Sequence, residues 1–523
     1  MVEAGEVLYG PGDTTYDLIV SEDATVEIVQ PATRDAPEES LVRFGPGSFL
    51  GELNLLTGQA VYLIARVVES GRVHRIAPAR FRRLMAEDPE LSDVLLEAFQ
   101  ARREVLRHSG ASRGLELVGS EMDSASLALR TYAARRRLPH VWFDADSVAG
   151  HSLIKAASLT SADLPAALMP DRVLKRATPG ELAETLGLAY RRTDSGASVD
   201  LTVVGAGPAG LAAAVYASSE GLATVLLDAV GPGGQAAASS RIENYLGFPS
   251  GISGAQLAER AETQALKFGA QLSTPCEIVA LGIDEHLRAV LADGTDVPTR
   301  ALIIASGARY RSLTLERWDE FVGAGIFYAA TELEARSCAN GPVTVVGGGN
   351  GAGQAALFLA ANGCDVTVAI RNPEIESGMS QYLVDRLLAN PKITVRSGTE
   401  VTRIGGGQVL ESISLVGPAG EEHEQACRGL FCFIGAEPAT GWLSGVALDE
   451  HGFLRTDVHL RSDELGETWS ALGRRPLPFE TSVPGVFAVG DVRHGSMKRV
   501  AAAVGEGASA VRFAHRNRCS GLM

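Results

Sequence analysis

The stretch LTVVGAGPAGLAAAVYASSEGLATVLLD, residues 201–228, decides the fold. An apolar run of β-formers breaks at Gly205-Ala206-Gly207-Pro208-Ala209-Gly210. Small helix formers follow, and a second apolar run closes on Asp228. Each glycine has a distinct use. Gly205 permits a tight turn out of the strand, Gly207 lets backbone approach a pyrophosphate, and Gly210 allows the helix to pack closely on the strand. The helix N-terminus, with Pro208 and Ala209 in its first turn, offers free N–H groups to phosphate. Asp228 follows Gly205 by 23 residues, where an acid can bind ribose hydroxyls. A tight turn without a ligand is the other reading of such glycines. The strand before, the helix after and the acid beyond favour a dinucleotide.

A second unit of the same kind is PVTVVGGGNGAGQAALFLAANGCDVTVAIRN, residues 342–372. Gly347, Gly349 and Ala352 fit G-x-G-x-x-A, with Asn350 and Gly351 between them. Its second strand ends in Arg371 instead of an acid. A carboxylate there would bind the ribose of NAD, whereas a cation suits the 2′-phosphate of NADP. A solvated strand end is the plainer reading of a lone arginine. NADPH is therefore favoured, with NADH open. Two such units predict an α/β protein with two Rossmann-like domains.

Outward from these units the chain changes character. Residues 1–85 carry short apolar runs broken by Gly, Pro and Asp, which predicts a small antiparallel β domain, followed by one helix from about Pro78 to Arg107. Residues 113–192 alternate strand and helix patterns, and Thr178-Pro179-Gly180-Glu181 reads as a capped helix start. The polar stretch 191–200 reads as a linker. The chain has 523 residues and a formal net charge of -16, which disfavours nucleic acid and anionic membrane as partners. No N-terminal signal pattern and no long apolar run appears, so no membrane span is expected. Six cysteines without Cys-x-x-Cys do not read as a disulfide framework, and a cytoplasmic location is the expectation.

Further motifs fall in order: PGGQ (232–235), RIENYLGFPSGISG (241–254), IIASGA (303–308) and GVFAVGDV (485–492). With the fingerprint at 205–210, this set resembles the thioredoxin reductase group of pyridine nucleotide–disulfide oxidoreductases over roughly residues 199–523. The resemblance implies FAD and a homodimer. It implies that Gly234 and Gln235 flank the flavin ring with Asn244 beside it. Gly490 and Asp491 would hold the ribityl–phosphate chain, and Val500 and Ala501 would bring backbone N–H groups to the pyrimidine end. Ala305 and Gly307 belong to the same implied site. It also implies domain limits: FAD-binding parts at 199–318 and 438–523 around an NAD(P)H-binding domain at 319–437.

The family's redox pair is missing. In GIFYAATELEA (325–335), Ala329 and Glu332 stand where two cysteines would be. Thiol–disulfide exchange needs thiolates there. Cys427 and Cys432, five apart, are expected on opposite faces of a strand as core residues. Cys338 is an outside candidate for a reactive thiol. Residues 1–110 resemble a cyclic-nucleotide-binding β-roll; Glu52 matches its ribose acid, but Val61 occupies the place of its phosphate-binding arginine. Residues 113–192 resemble a thioredoxin- or glutaredoxin-like fold, with SEMDS (120–124) as the redox turn and Pro165 as its cis-proline. Three functions are compatible. One is an NAD(P)H oxidoreductase passing electrons through FAD to a ferredoxin, flavodoxin, quinone or oxygen. Another is a disulfide reductase using a different thiol, and the third a flavin-containing sensor. In the first, the lack of a dithiol predicts one productive arrangement of the two nucleotide domains.

Overall fold

The computed structural model describes residues 1–13, 16–32, 37–51, 55, 61, 63–108, 114–170, 172–190, 199–239, 242, 244–283, 286–338 and 340–519, apart from the side chains of 100, 103–108, 333 and 516–519. Strand Val199–Val204 pairs in parallel with Thr224–Leu227 on one side and with Asp296–Ile304 on the other. Gln271–Ser273 and Val486–Ala488 extend this sheet in parallel, and Arg288–Leu291 and Ile278–Gly282 add an antiparallel edge. Leu201 to Val204 are all buried, as expected of a parallel strand covered on both faces. Helices Pro208–Ser219 and Val500–Cys519 lie together on this sheet. They cross so closely that a Cβ at Gly507 would stand 2.1 Å from the Ala209 carbonyl oxygen.

The second unit repeats the plan. Its sheet runs Ile326–Phe327, Gly429–Cys432, Pro342–Val346, Asp365–Ile370, Ile393–Ser397, all parallel. Helix Asn350–Ala361 follows the glycine turn. The two units are joined by a two-stranded crossing, Ala308–Tyr310 against Ala436–Pro438.

Residues 115–190 form a separate small α/β unit. Strands Glu116–Gly119 and Val141–Asp144 are parallel, while Ala166–Leu168 and Val173–Leu174 are antiparallel additions. The Leu164–Pro165 bond is cis, at the residue singled out in the sequence. Thr178 caps helix Pro179–Thr185 in a reciprocal box with Glu181, as its spacing predicts. The stretch SEMDS (120–124) runs into the start of the following helix. Asp123 is the N-cap of helix Ser124–Arg135, and Ser126, not Ser120 or Ser124, is the buried serine. A Cβ on Gly119 would meet Ser126 Oγ at 2.4 Å and Pro165 Cβ at 3.1 Å, so these residues converge there.

The N-terminal unit is two antiparallel sheets, one ordered Val7–Tyr9, Ile64–Glu69, Thr25–Gln30, Glu39–Phe44, the other Phe49–Leu50, Leu18–Ser21, Val73–Ile76. The single helix expected after it is two helices, Pro78–Glu87 and Pro89–His108. Asp88 adopts extended backbone because the Pro89 ring disfavours α geometry in the residue before it. Phe81, Met85, Leu95 and Phe99 share an apolar cluster with Leu266 and Ala270 of the first nucleotide unit. Of the expected linker, Val199 and Asp200 are strand and residues 191–198 lie outside the described ones. No helix among the described residues is long and apolar enough to cross a membrane.

Candidate functional site

At the first fingerprint the backbone leaves strand Val199–Val204 through Gly205, whose φ is +103°. Any Cβ there would strike the Ala305 carbonyl oxygen at 2.3 Å. Gly210 is tighter still, with Gly205 O at 1.8 Å from its would-be Cβ. Gly207 is the N-cap of helix Pro208–Ser219 and has no side-chain cap, so its first-turn N–H groups are left for a ligand. Pro208 sits at the first helical position and Ala209 is buried behind it.

PGGQ folds over this turn. Gly233 and Gly234 have φ of +99° and +52°, and a Cβ on Gly234 would come within 3.0 Å of Gly207 Cα. Gln235 donates from Nε2 to the Ala308 carbonyl, tying the loop to the interdomain crossing. The Asp228 carboxylate accepts from Ala206 N at 2.7 Å, Val230 N at 2.8 Å and Gly231 N at 2.7 Å. It thus clamps the glycine turn to the loop that leads into PGGQ. Ala305 is buried under Gly205, and Gly307 turns the chain at φ +67°. Asn244 is exposed, and its neighbours 240, 241 and 243 lie outside the described residues.

Gly490 and Asp491 close the cradle from the other side. Gly490 has φ +71°, and its N–H donates to Glu506 Oε2 at 2.7 Å. Glu506 is itself paired with Arg493 at 2.7 Å. Sequence reading missed both residues. Burial pushes the Asp491 carboxyl above its ordinary range, opposed by Lys498, whose ammonium donates to Asp491 O at 2.7 Å. Val500 opens helix Val500–Cys519 and Ala501 is exposed in its first turn.

The second cradle has the same geometry. Gly347 has φ +137° and its Cβ would stand 2.3 Å from Phe433 O, while Gly349 has open space around it and is an uncapped N-cap. Gly351 faces the Phe433 ring and Ala352 is buried. Asn350 is committed to structure: its amide exchanges hydrogen bonds with Ser380 at 3.0 and 2.7 Å. Arg371 is exposed at the strand end, with no carboxylate paired to it among the described residues.

Between the cradles stands an aromatic group that sequence reading also missed. Tyr310 of the crossing stacks on Tyr328 at 5.9 Å and meets Phe433 edge-on at 6.4 Å. Phe433 in turn touches the second glycine turn. Both cradles fit a dinucleotide: each has a positive-φ glycine, a glycine that a side chain would fill, and an uncapped helix start.

The family model for pyridine nucleotide–disulphide oxidoreductases matches residues 199–507. The chain belongs to this family. Residues 1–88 match the cyclic nucleotide-binding domain. This oxidoreductase is 33% identical over 316 residues to a thioredoxin reductase of Treponema pallidum (strain Nichols), covering 60% of the chain and 95% of that relative. It is 32% identical over 326 residues to NADPH-dependent thioredoxin reductase 3 of Arabidopsis thaliana, covering 61% of the chain and 58% of that protein. Among solved structures it resembles thioredoxin reductase of T. acidophilum, with a TM-score of 0.54 and 28% identity over 62% of this chain and 99% of that one. The Lactococcus lactis enzyme in its FR conformation gives a TM-score of 0.54 at 27% identity, over 62% of this chain and 100% of that one.

The five thiols whose side chains are described are placed poorly for exchange. Cys276, Cys338, Cys364, Cys427 and Cys432 are free and buried. Burial pushes Cys276 and Cys427 up to about 11, and Cys338 and Cys432 up to about 12. Cys427 precedes strand Gly429–Cys432, and both cysteines join one apolar cluster, so the expected opposite faces give way to shared burial. Ala329 is half-buried. Glu332 is exposed at the start of helix Glu332–Ser337 and pairs with Arg336 at 3.3 Å. In the N-terminal unit Val61 is buried, and Glu52 lies outside the described residues.

Proposed function

We propose that this chain transfers electrons from NADPH through FAD to an acceptor other than an internal dithiol. The carrying observation is that one chain holds two dinucleotide cradles, both in contact with the crossing of Ala308–Tyr310 or its aromatic neighbours, while every cysteine whose side chain is described is buried. When bound, NADPH and FAD supply hydride transfer between nicotinamide and flavin. The chain's residues bind and orient. Gly205, Gly207, Gly210, Gly234, Gly490 and Asp491 would hold FAD, with Gln235 and Asn244 at the ring, Asp228 at the ribose, and Ala305, Gly307, Val500 and Ala501 completing the wall. Gly347, Gly349, Gly351 and Ala352 would hold NADPH, with Arg371 at its 2′-phosphate. Asn350 would act through Ser380, steadying that turn. Tyr310 and Phe433 would line the junction.

Stopped-flow mixing with NADPH under anaerobic conditions tests this. Flavin bleaching within seconds is expected, and an unbleached flavin sinks the reading. A panel of ferredoxin, flavodoxin, quinone and oxygen then identifies the acceptor. Replacing all six cysteines should leave turnover with it unchanged.

A homodimer in the cytoplasm completes the reading. Sedimentation at micromolar concentration measures it.

A further inference from the structure

Helix Ser124–Arg135 of the small α/β unit touches both nucleotide-binding units at once. Its first half meets the second unit. Gly323 has φ +79° and comes so near that a Cβ on it would be 3.2 Å from Ser124 Cα and 3.4 Å from Leu127 Cδ2. Leu127 packs on the apolar cluster that holds Phe327, Ala330 and Ala335. One turn on, buried Arg130 lies 4.5 Å over the Trp142 ring and within the electrostatic reach of Glu334 and Arg336.

The last turn of the same helix meets the first unit. Tyr132 Oη donates to the Thr274 carbonyl at 3.1 Å, and both groups are buried. Arg136, just past the helix end, pairs with Glu262 at 2.8 Å, with side chains only 3% and 7% exposed. Arg137 adds a second bond to Glu262 at 3.2 Å. The stem of Arg135 lies against the loop that enters PGGQ, 3.1 Å from where a Cβ on Gly231 would be.

We propose that the small α/β unit is a brace, with helix Ser124–Arg135 holding the two nucleotide-binding units in one relative orientation. Without it, the units are linked by the crossing of Ala308–Tyr310 and Ala436–Pro438, two short connections of the kind about which domains rotate. A helix of this length is a rigid rod of about 18 Å, long enough to rest one end on each unit. Rotation about the crossing must either draw Leu127 out of its apolar cluster or part Arg136 from Glu262. The first exposes apolar surface, and the second leaves a buried charge without its partner. The brace explains why a unit with serine in place of a redox thiol stays docked here: its contacts are mechanical. It rests on the NADPH-and-FAD reading only in the choice of ligand for the test.

Pulsed dipolar spectroscopy on the full chain tests it. Spin labels go on the exposed positions Ser219→Cys and Ala389→Cys, one per unit, with Cys519→Ser removing the cysteine near the C-terminus. The labelled protein is diluted with unlabelled protein to remove distances between copies. One distance population is expected, unmoved by NADP⁺ or by reduction of the flavin with dithionite. Two populations, or a shift with either addition, overturn the brace. Leu127→Ala/Tyr132→Phe/Arg137→Ala in the same background is expected to add a second population. If that variant retains its flavin spectrum and circular dichroism yet keeps the single distance, this helix is not the contact and the proposal falls. Leu127→Ala alone is read the same way if the triple variant does not fold. Failure of NADPH to bleach the flavin would sink the electron-transfer reading and leave these distances fully interpretable.

Discussion

Gly205 leaves no room for a methyl group, since the Ala305 carbonyl oxygen stands 2.3 Å from its would-be Cβ at a φ of +103°. Gly205→Ala should cost about 1–3 kcal/mol for backbone strain alone. The loss should appear as a lower Tm and less retained FAD after desalting. Arg371 is a different case because it is exposed and nothing local demands it. Arg371→Ala should leave Tm unchanged and raise KM for NADPH by roughly tenfold, the size of a lost charged hydrogen bond, with KM for NADH unmoved. Equal changes for both cofactors would count against its role at the 2′-phosphate. The cysteines give a pH prediction. Burial raises the thiols of Cys276, Cys338, Cys364, Cys427 and Cys432 above the ordinary value of 9.0. Protons are therefore held more tightly in the folded chain than in the unfolded one. Above pH 9 the unfolded chain gains by ionising, so stability should fall as pH rises toward about 11, where the Cys276 and Cys427 thiols ionise in the folded chain. At pH 8 an aromatic disulfide reagent should label no more than Cys519 until denaturant is added.

At the scale of elements, helix Val500–Cys519 does more than cover the sheet. It carries Glu506 to the Gly490 turn, where the carboxylate accepts from Gly490 N and from Arg493. Glu506→Ala would strand a half-buried Arg493 and free the turn. A weakening of FAD binding equivalent to about 1–3 kcal/mol is expected, measured by fluorescence titration of the apoprotein. Glu506→Gln should recover part of it, since the amide oxygen still accepts from Gly490. The sequence could not reveal Glu506, because its partners lie 13 and 16 residues away across a loop whose path depends on the packed helix. Both glycine cradles were legible for the opposite reason: positive φ and close helix–strand approach are local demands that only glycine meets. The break at Asp88 was also local, and Pro89 signals it. The run of apolar residues at helical spacing hid that signal. Asn350 looked like part of a nucleotide loop, but Ser380, which holds its amide, is 30 residues on and carries no motif. Tyr310, Tyr328 and Phe433 come from three separate segments, so the aromatic junction exists only once the two sheets are side by side.

Across the whole molecule, the small α/β unit and the first nucleotide unit share a buried ion pair, Arg136 with Glu262, whose members are 126 residues apart. Desolvating two charges is costly, and the attraction between them roughly offsets that cost. Removing one partner is different, because the other is left buried and charged. Arg136→Ala should therefore destabilise the chain by about 3–5 kcal/mol, whereas Arg136→Met with Glu262→Leu should cost far less or nothing. Arg137 moderates the single variant, because it also reaches Glu262 at 3.2 Å. The location of the loss matters as much as its size. The pair sits at a seam between units, so calorimetry of Arg136→Ala should show a transition for the small unit detaching below that of the two Rossmann-like units. The wild-type chain should unfold these two units together. Separate transitions in the wild type would mean that the seam is weak.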